Sequence, residues 1–357
     1  MKFSDLVSFL CLVIALLILW QFRHILLLVF TAVVLAIAIN ALVRKLVRAL
    51  GMKRGWAVLI SFGLMLFIIS VLLILVVPLV ASQSQEIIQR IPEGFATLSR
   101  WLNELTANPP VWVPEWVPES DLQLPNFADL MQQISSLAKN IFGSFYTFFS
   151  GTFTVLLELL LVLVLTLMIV ADPLPYRRLL LKLFPSSYRK RADEIFSKCE
   201  VTLLYWLDAV LLKSLFVGIL SFFGLILIGV DYAFTHAVIA GLFNFIPNLG
   251  PLLSTIFPLS VALLNSQSQS LAVIILYIII QNVETYLFGP IIIQRQVSLL
   301  PAATLIAQLF FTVFLGPLGL LLAIPLAIIA KIWIEEAWIK DVLEAEDSIS
   351  KEPHSFP

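Results

Sequence analysis

AVIAGLFNFIPNLGPLLSTIFPLSVALL, residues 237–264, is apolar enough for a bilayer yet cannot form one smooth helix. Pro247, Pro251 and Pro258 each remove a backbone donor and crowd the preceding turn, and Gly241 and Gly250 lie among them. Hydrocarbon offers no water to backbone groups stranded in this way, so such a break must be buried in protein or line a polar cavity. Asn244 and Asn248 supply side-chain amides at the break. Interrupted membrane helices of this kind are where transporters tend to build their sites. The stretch therefore predicts a broken or re-entrant membrane helix. Asn244, Pro247, Asn248, Gly250 and Pro251 are its candidate path residues.

The rest of the chain supports a membrane setting. Hydrophobic residues make up 60% of the 357 and charged residues 13%, against about 45–50% and about 25% in soluble domains. A net charge of −1 gives no basic excess for nucleic acid. Cys11, Cys199, His24, His236 and His354 have no metal-site spacing, so neither metal nor other cofactor is expected. Cys11 falls in an apolar run and Cys199 in a basic segment, so no disulfide is expected. The N-terminal apolar run continues from Leu6 into Asn40, with its Ala36-x-Ala38 feature very late. It reads as a retained anchor and not as a cleaved signal.

Read in order, residues 1–80 hold three spans, at 6–20, 25–43 and 56–80. Between the second and third lie Arg44, Lys45, Arg48, Lys53 and Arg54 with no acid, which places that loop in the cytoplasm. Residues 81–145 are polar and expected outside. Two amphipathic stretches flank NPPVWVPEWVPESDLQLP, whose prolines keep it extended. No His, Cys or paired carboxylates there suggest catalysis, so a structural or gating role is expected. Residues 146–171 form a fourth span with Glu158 near its midpoint; an intramembrane carboxylate is a candidate for ion coupling. Residues 172–210 are again basic, with 186–210 expected as an amphipathic helix lying along the membrane.

Residues 211–334 form the predicted core. A fifth span at 211–230 precedes the broken stretch, and a seventh at 271–288 carries Gln281 and Glu284. Three residues apart, these two share a helix face. The last span is broken at Gly316, Pro317, Gly319 and Pro325. Leu249-Gly250-Pro251 and Leu315-Gly316-Pro317 suggest an internal repeat, a further pointer to paired broken helices. The acidic tail, 335–357, is expected to fray. The whole is an all-α polytopic membrane protein of about eight transmembrane helices. Both termini face the cytoplasm, and the setting is the inner (plasma) membrane. Membrane lipids are its surroundings. No intramembrane-protease motif is present, and His236 is expected as a satisfied interfacial histidine, so the chain is not read as an enzyme. No Walker-type motif supplies an ATP-driven step.

FNFIPNLGP at 243–251 and QNVETYLFGPIIIQRQVSLLPAATLIAQLFFTVFLGPLGLLLAIPLA at 281–327 resemble the autoinducer-2 exporter family of permeases. The resemblance extends in layout to nearly the whole chain. It implies multi-pass transport by a homo-oligomer, a pentamer moving in an elevator-like way. The implied substrates are the signalling furanone or, in other members, sodium or protons in exchange. Where the family tends to have an aromatic residue, this chain has Asn248. Where it tends to have Pro-Lys, this chain has Pro290-Ile291, which removes a lysine that could pair with Glu284 and leaves Arg295 as a substitute.

Three readings follow. The first is an exporter of a small polar solute, such as a quorum-sensing signal, through a path that includes Gln281, Glu284, Gly316, Pro317 and Pro325. The second is a monovalent cation/proton antiporter using Glu158 and Glu284. The third is a non-transport scaffold that docks partners on the Trp/Pro-rich segment.

Overall fold

The computed structural model describes residues 17–71, 153–247, 249–294 and 300–343 continuously, with scattered positions between residues 10 and 136. Everything regular among the described residues is helical. The main elements are α1 (Arg23–Leu50), α2 (Arg54–Val71), α3 (Phe153–Ala171), α4 (Pro173–Lys182), α5 (Arg189–Ile228), α6 (Ala233–Phe243), α7 (Leu249–Asn265), α8 (Gln267–Gln294) and α9 (Pro301–Trp333). A π-helical segment, Ile334–Leu343, continues α9. Among the described residues, five helices are long and apolar enough to cross a membrane, six if α3 and α4 count as one bent span. α6 and α7 are apolar but shorter. Most of the predicted first span, and the Pro/Trp-rich link at 108–125, lie outside the described residues.

Local chemistry sets the boundaries. α1 runs through Arg44, Lys45 and Arg48 and stops at Gly51, whose φ of 62° closes the helix with an N–H bond to the Val47 carbonyl. The basic loop expected at 44–54 is therefore mostly helix, leaving residues 51–53 as connector. Arg48 sits where it complements the exposed carbonyls of the last turn. α3 ends at Ala171, Asp172 caps the start of α4, and Pro173 opens α4, which turns by 92°. No proline or glycine interrupts residues 186–217. The basic segment accordingly does not form a separate helix along the membrane: Arg189–Ile228 is one helix of 40 residues that runs through the expected boundary at 210/211. At about 1.5 Å per residue it is about 60 Å long, twice a hydrocarbon core of about 30 Å. The element that turns aside is α4.

The chain forms two compact units, Met1–Leu66 with Leu156–Asp208 and Ile292–Pro357, and Phe67–Val155 with Ala209–Ile291. In the first, Ala36, Ile39 and Val43 of α1 pack with Ala57 and Val58 of α2 and Val170 of α3. In the second, Val217 and Leu225 of α5 pack with Ala240 of α6, Val261 of α7 and Val273, Tyr277 and Ile280 of α8. The segment expected outside also meets this core. Gln83 pairs with the buried Thr235, and a Cβ on Gly94 would lie 2.6 Å from the Ser260 carbonyl oxygen.

The acidic tail does not fray at residue 335. Glu336 accepts from Lys198 at 2.5 Å, Arg191 at 2.8 Å and Lys340 at 2.9 Å. Asp341 accepts from Arg191 at 3.1 Å and from the Tyr188 hydroxyl at 2.8 Å. Trp333 stacks on Phe184 beside them, ring centroids 5.5 Å apart.

Candidate functional site: a polar level beside the broken helix

Close packing in the second unit aligns the candidate residues. A Cβ on Gly218 would lie 3.4 Å from the Ala237 carbonyl oxygen, and one on Gly241 would lie 3.1 Å from that of Ser214. Small residues four apart on α5 and α6 thus let the two backbones approach, as small residues do at helix contacts in membranes. The antiparallel α5–α6 pair sets Gly241 level with Ser214, so Asn244, one turn further on, is brought level with the α5 residues just before Lys213. α8 runs antiparallel to α5 on another side. Leu276 meets Gly224, and Phe288 lies edge-on to Phe216 with centroids 5.4 Å apart.

This register brings Lys213 Nζ to 2.5 Å from Glu284 Oε1. The carboxylate side chain is 3% exposed and the lysine 25%. Gln281 Nε2 also approaches Glu284 Oε2 at 3.5 Å, so the shared face expected of Gln281 and Glu284 is present. Glu284 gets its cation from α5. Arg295, the substitute considered from sequence, lies outside the described residues. Lys213 is the partner of Glu284 that sequence reasoning missed. Its signal was a lone lysine within an apolar run, two helices away from the acid.

The broken stretch is broken where expected. α6 ends at Phe243 with Asn244 as its C-cap, and α7 begins at Leu249. Asn244 is buried, and its side-chain nitrogen has no hydrogen-bond partner among the described residues. The Pro247 carbonyl accepts the Leu249 N–H at 2.8 Å, and the Ile246 carbonyl accepts that of Gly250 at 2.9 Å. Gly250 is essential to this turn, because any Cβ there would overlap the Phe243 carbonyl. The Pro251 carbonyl accepts Ser254 Oγ at 2.9 Å and Thr255 Oγ1 at 2.8 Å. Asn248 lies outside the described residues. His236 is fully buried, and neither ring nitrogen has a partner among the described residues; it is a core residue of α6, not the satisfied interfacial histidine expected.

The remaining candidates lie in the first unit. Gly316 has φ 72° and ψ −157°, a kink inside α9, with Pro317 next to it and Pro325 buried further along. Gly250 lies within the first turn of α7 and has no positive φ, so the two Leu-Gly-Pro segments do not repeat one backbone conformation. Glu158 lies in the second turn of the described α3, and His24 Nε2 sits 3.0 Å from it. Cys199 is a free, buried thiol, while Cys11 lies outside the described residues.

Several long apolar helices, one of them broken beside a buried ion pair, define a polytopic α-helical membrane protein of the transporter class. The chain belongs to the AI-2E family transporters, whose sequence profile matches residues 9–338. It is 24% identical over 296 residues to YueF of Bacillus subtilis (strain 168), covering 82% of this chain and 78% of that one. It is 26% identical over 305 residues to YhhT of Escherichia coli (strain K12), covering 85% and 82%. Both are provisionally named transport proteins. A third relative, the AI-2 transport protein TqsA of Escherichia coli (strain K12), is 32% identical over 124 residues, 34% of this chain and 36% of TqsA.

Proposed function

We propose that this protein is a secondary or facilitated exporter of a small, oxygen-rich polar solute, with the signal AI-2 as the first candidate. The observation that carries the reading is the Lys213–Glu284 pair, set level with the break between α6 and α7. A bare carboxylate facing a path would suit a metal cation. Here the acid is buried and the lysine is its more exposed partner, so the charge within a solute's reach is positive. A cation meeting hydroxyls or an anionic group orients an acceptor-rich solute. Asn244, Pro247, Asn248, Gly250, Pro251 and Gln281 form the path around the pair in this reading. Gly316, Pro317 and Pro325 supply a hinge in the other unit. The working form is a homo-oligomer in the inner membrane with both termini in the cytoplasm. The name of TqsA supports the choice of first solute.

The test is flux in proteoliposomes, with labelled AI-2 and a panel of small polar solutes run beside a pH-sensitive dye under sodium or potassium gradients. Solute movement that falls at least tenfold in Lys213→Gln, without obligatory proton exchange, is the expected result. Gradient-driven proton movement that vanishes in Glu284→Gln or Glu158→Gln would replace this reading with cation/proton exchange. No flux of either kind from folded protein would favour a scaffold.

A further inference from the structure

We propose that α4 and the cavity beside it form a seat for an anionic phospholipid. The 92° bend at Asp172 turns α4 across the axis of the apolar α3. If α3 crosses the bilayer, α4 lies along its surface. Its residues are sorted for that position, apart from Leu174 and Leu181 on the cationic side. At about 100° per residue, Tyr176, Leu179 and Leu180, with Leu183 just past its end, fall on one side and Arg178 and Lys182 on the other. Leu179 is 63% exposed and Leu183 78%. An apolar face with cations opposite is the pattern of a helix lying in a membrane interface.

Two further observations identify the occupant. Arg177 fastens α4 to α5 through Asp193, Ser197 and Glu200, so its charge is already matched. Arg178 and Lys182 are exposed and have no acid partner among the described residues, which leaves two cations for a phosphate. On the apolar side, a cavity of about 520 Å³ opens between Tyr176 and Leu180 of α4, Phe30 and Ile37 of α1, and Leu203 of α5. Glu200 also lines it, but Arg44 holds that carboxylate at 2.8 Å. The volume falls within the range of about 300–1,000 Å³ usual for ligand pockets, and its walls suit an acyl chain. Basic pockets at the cytoplasmic ends of membrane helices hold anionic head groups in this way. The seat lies in the first unit and does not depend on the identity of the transported solute.

The test is lipid retention by the full-length protein in detergent, read by native mass spectrometry with phosphatidylglycerol and phosphatidylcholine in competition. Wild type should keep phosphatidylglycerol preferentially. Arg178→Gln/Lys182→Gln should lose about tenfold of that preference, while Arg178→Lys/Lys182→Arg keeps it. The thermal midpoint in phosphatidylcholine should match wild type for both variants, which excludes misfolding as the cause. Equal retention of the two lipids by wild type, or an undiminished preference in the Gln variant, would overturn the proposal. A photocrosslinking residue at Leu179 separates the other occupant: a lipid adduct is expected, and a crosslinked second copy of the chain would overturn the lipid seat.

Discussion

At the scale of single residues, Glu284 is the position on which the candidate site turns. A carboxylate with 3% of its side chain exposed needs a partner, and Lys213 is that partner. Removing one member of a buried pair costs far more than replacing both, because it leaves the other charge stranded. Lys213→Met should therefore destabilise the protein by about 3 kcal/mol or more. The double variant Lys213→Met/Glu284→Met should recover much of the loss. Thermal unfolding of the four proteins in one detergent measures the cycle. A loss in the double variant equal to the sum of the two single losses would mean that the pair carries no coupling. The acid was legible from sequence, since an ionisable group in an apolar run stands out. Its partner was not, because the helix spacing rule links residues three or four apart and says nothing about a lysine in another helix.

At the scale of elements, two glycines in similar sequence settings break helices by different physics. Gly250 admits no side chain because the Phe243 carbonyl occupies the place of its Cβ. Gly316 has open space around it but a φ of 72° and ψ of −157°, where glycine alone is comfortable. Gly316→Ala should cost about 1–3 kcal/mol of backbone strain while preserving the packing. Gly250→Ala must push α7 away from the end of α6 and should cost more, with loss of flux even where protein is recovered. Thermal midpoints of the two variants, with proteoliposome flux beside them, check both outcomes; a harmless Gly250→Ala would show that the turn is not rigid. Proline placement pointed to the breaks at Pro247 and beside Gly316, but Pro258 and Pro325, also expected at breaks, lie inside helices. The conformations at the two glycines were not readable, because identical Leu-Gly-Pro triplets leave the φ of the glycine open.

At the scale of the molecule, the C-terminal end of the chain returns to a basic segment about 145 residues earlier. α9 and its π-helical continuation together are long enough to pass well beyond a hydrocarbon core of about 30 Å, and the acids lie at the far end. Hydrogen bonds from Lys198 and Lys340 pull the Glu336 carboxyl down to about 2 from its ordinary 4.5. The hydrogen bond from Arg191 lowers that of Asp341 too. A depressed carboxyl contributes stability that is complete above its ordinary value and is lost as pH falls toward the folded value. Attachment of residues 334–343 should therefore be constant from pH 5 to 8 and weaken progressively between about 4.5 and about 2. Limited proteolysis of the tail across that series reads it. Glu336→Gln should loosen the tail at neutral pH and flatten the acid response.

Composition, long apolar runs and clustered cations were sufficient for an all-helical membrane protein with breaks near Pro247 and Gly316, because burial in hydrocarbon constrains each segment by its own residues. Pairings between distant segments required the folded chain. Lys213 with Glu284, Glu336 with Lys198, and His24 with Glu158 each join residues whose local sequences carry no mark of one another. Which helix turns aside was also decided there. An amphipathic pattern fits many stretches, and Asp172-Pro173 turns α4 while the proline-free chain after 186 keeps α5 going. Register between packed helices, set by small residues such as Gly218 and Gly241, chooses which charges meet.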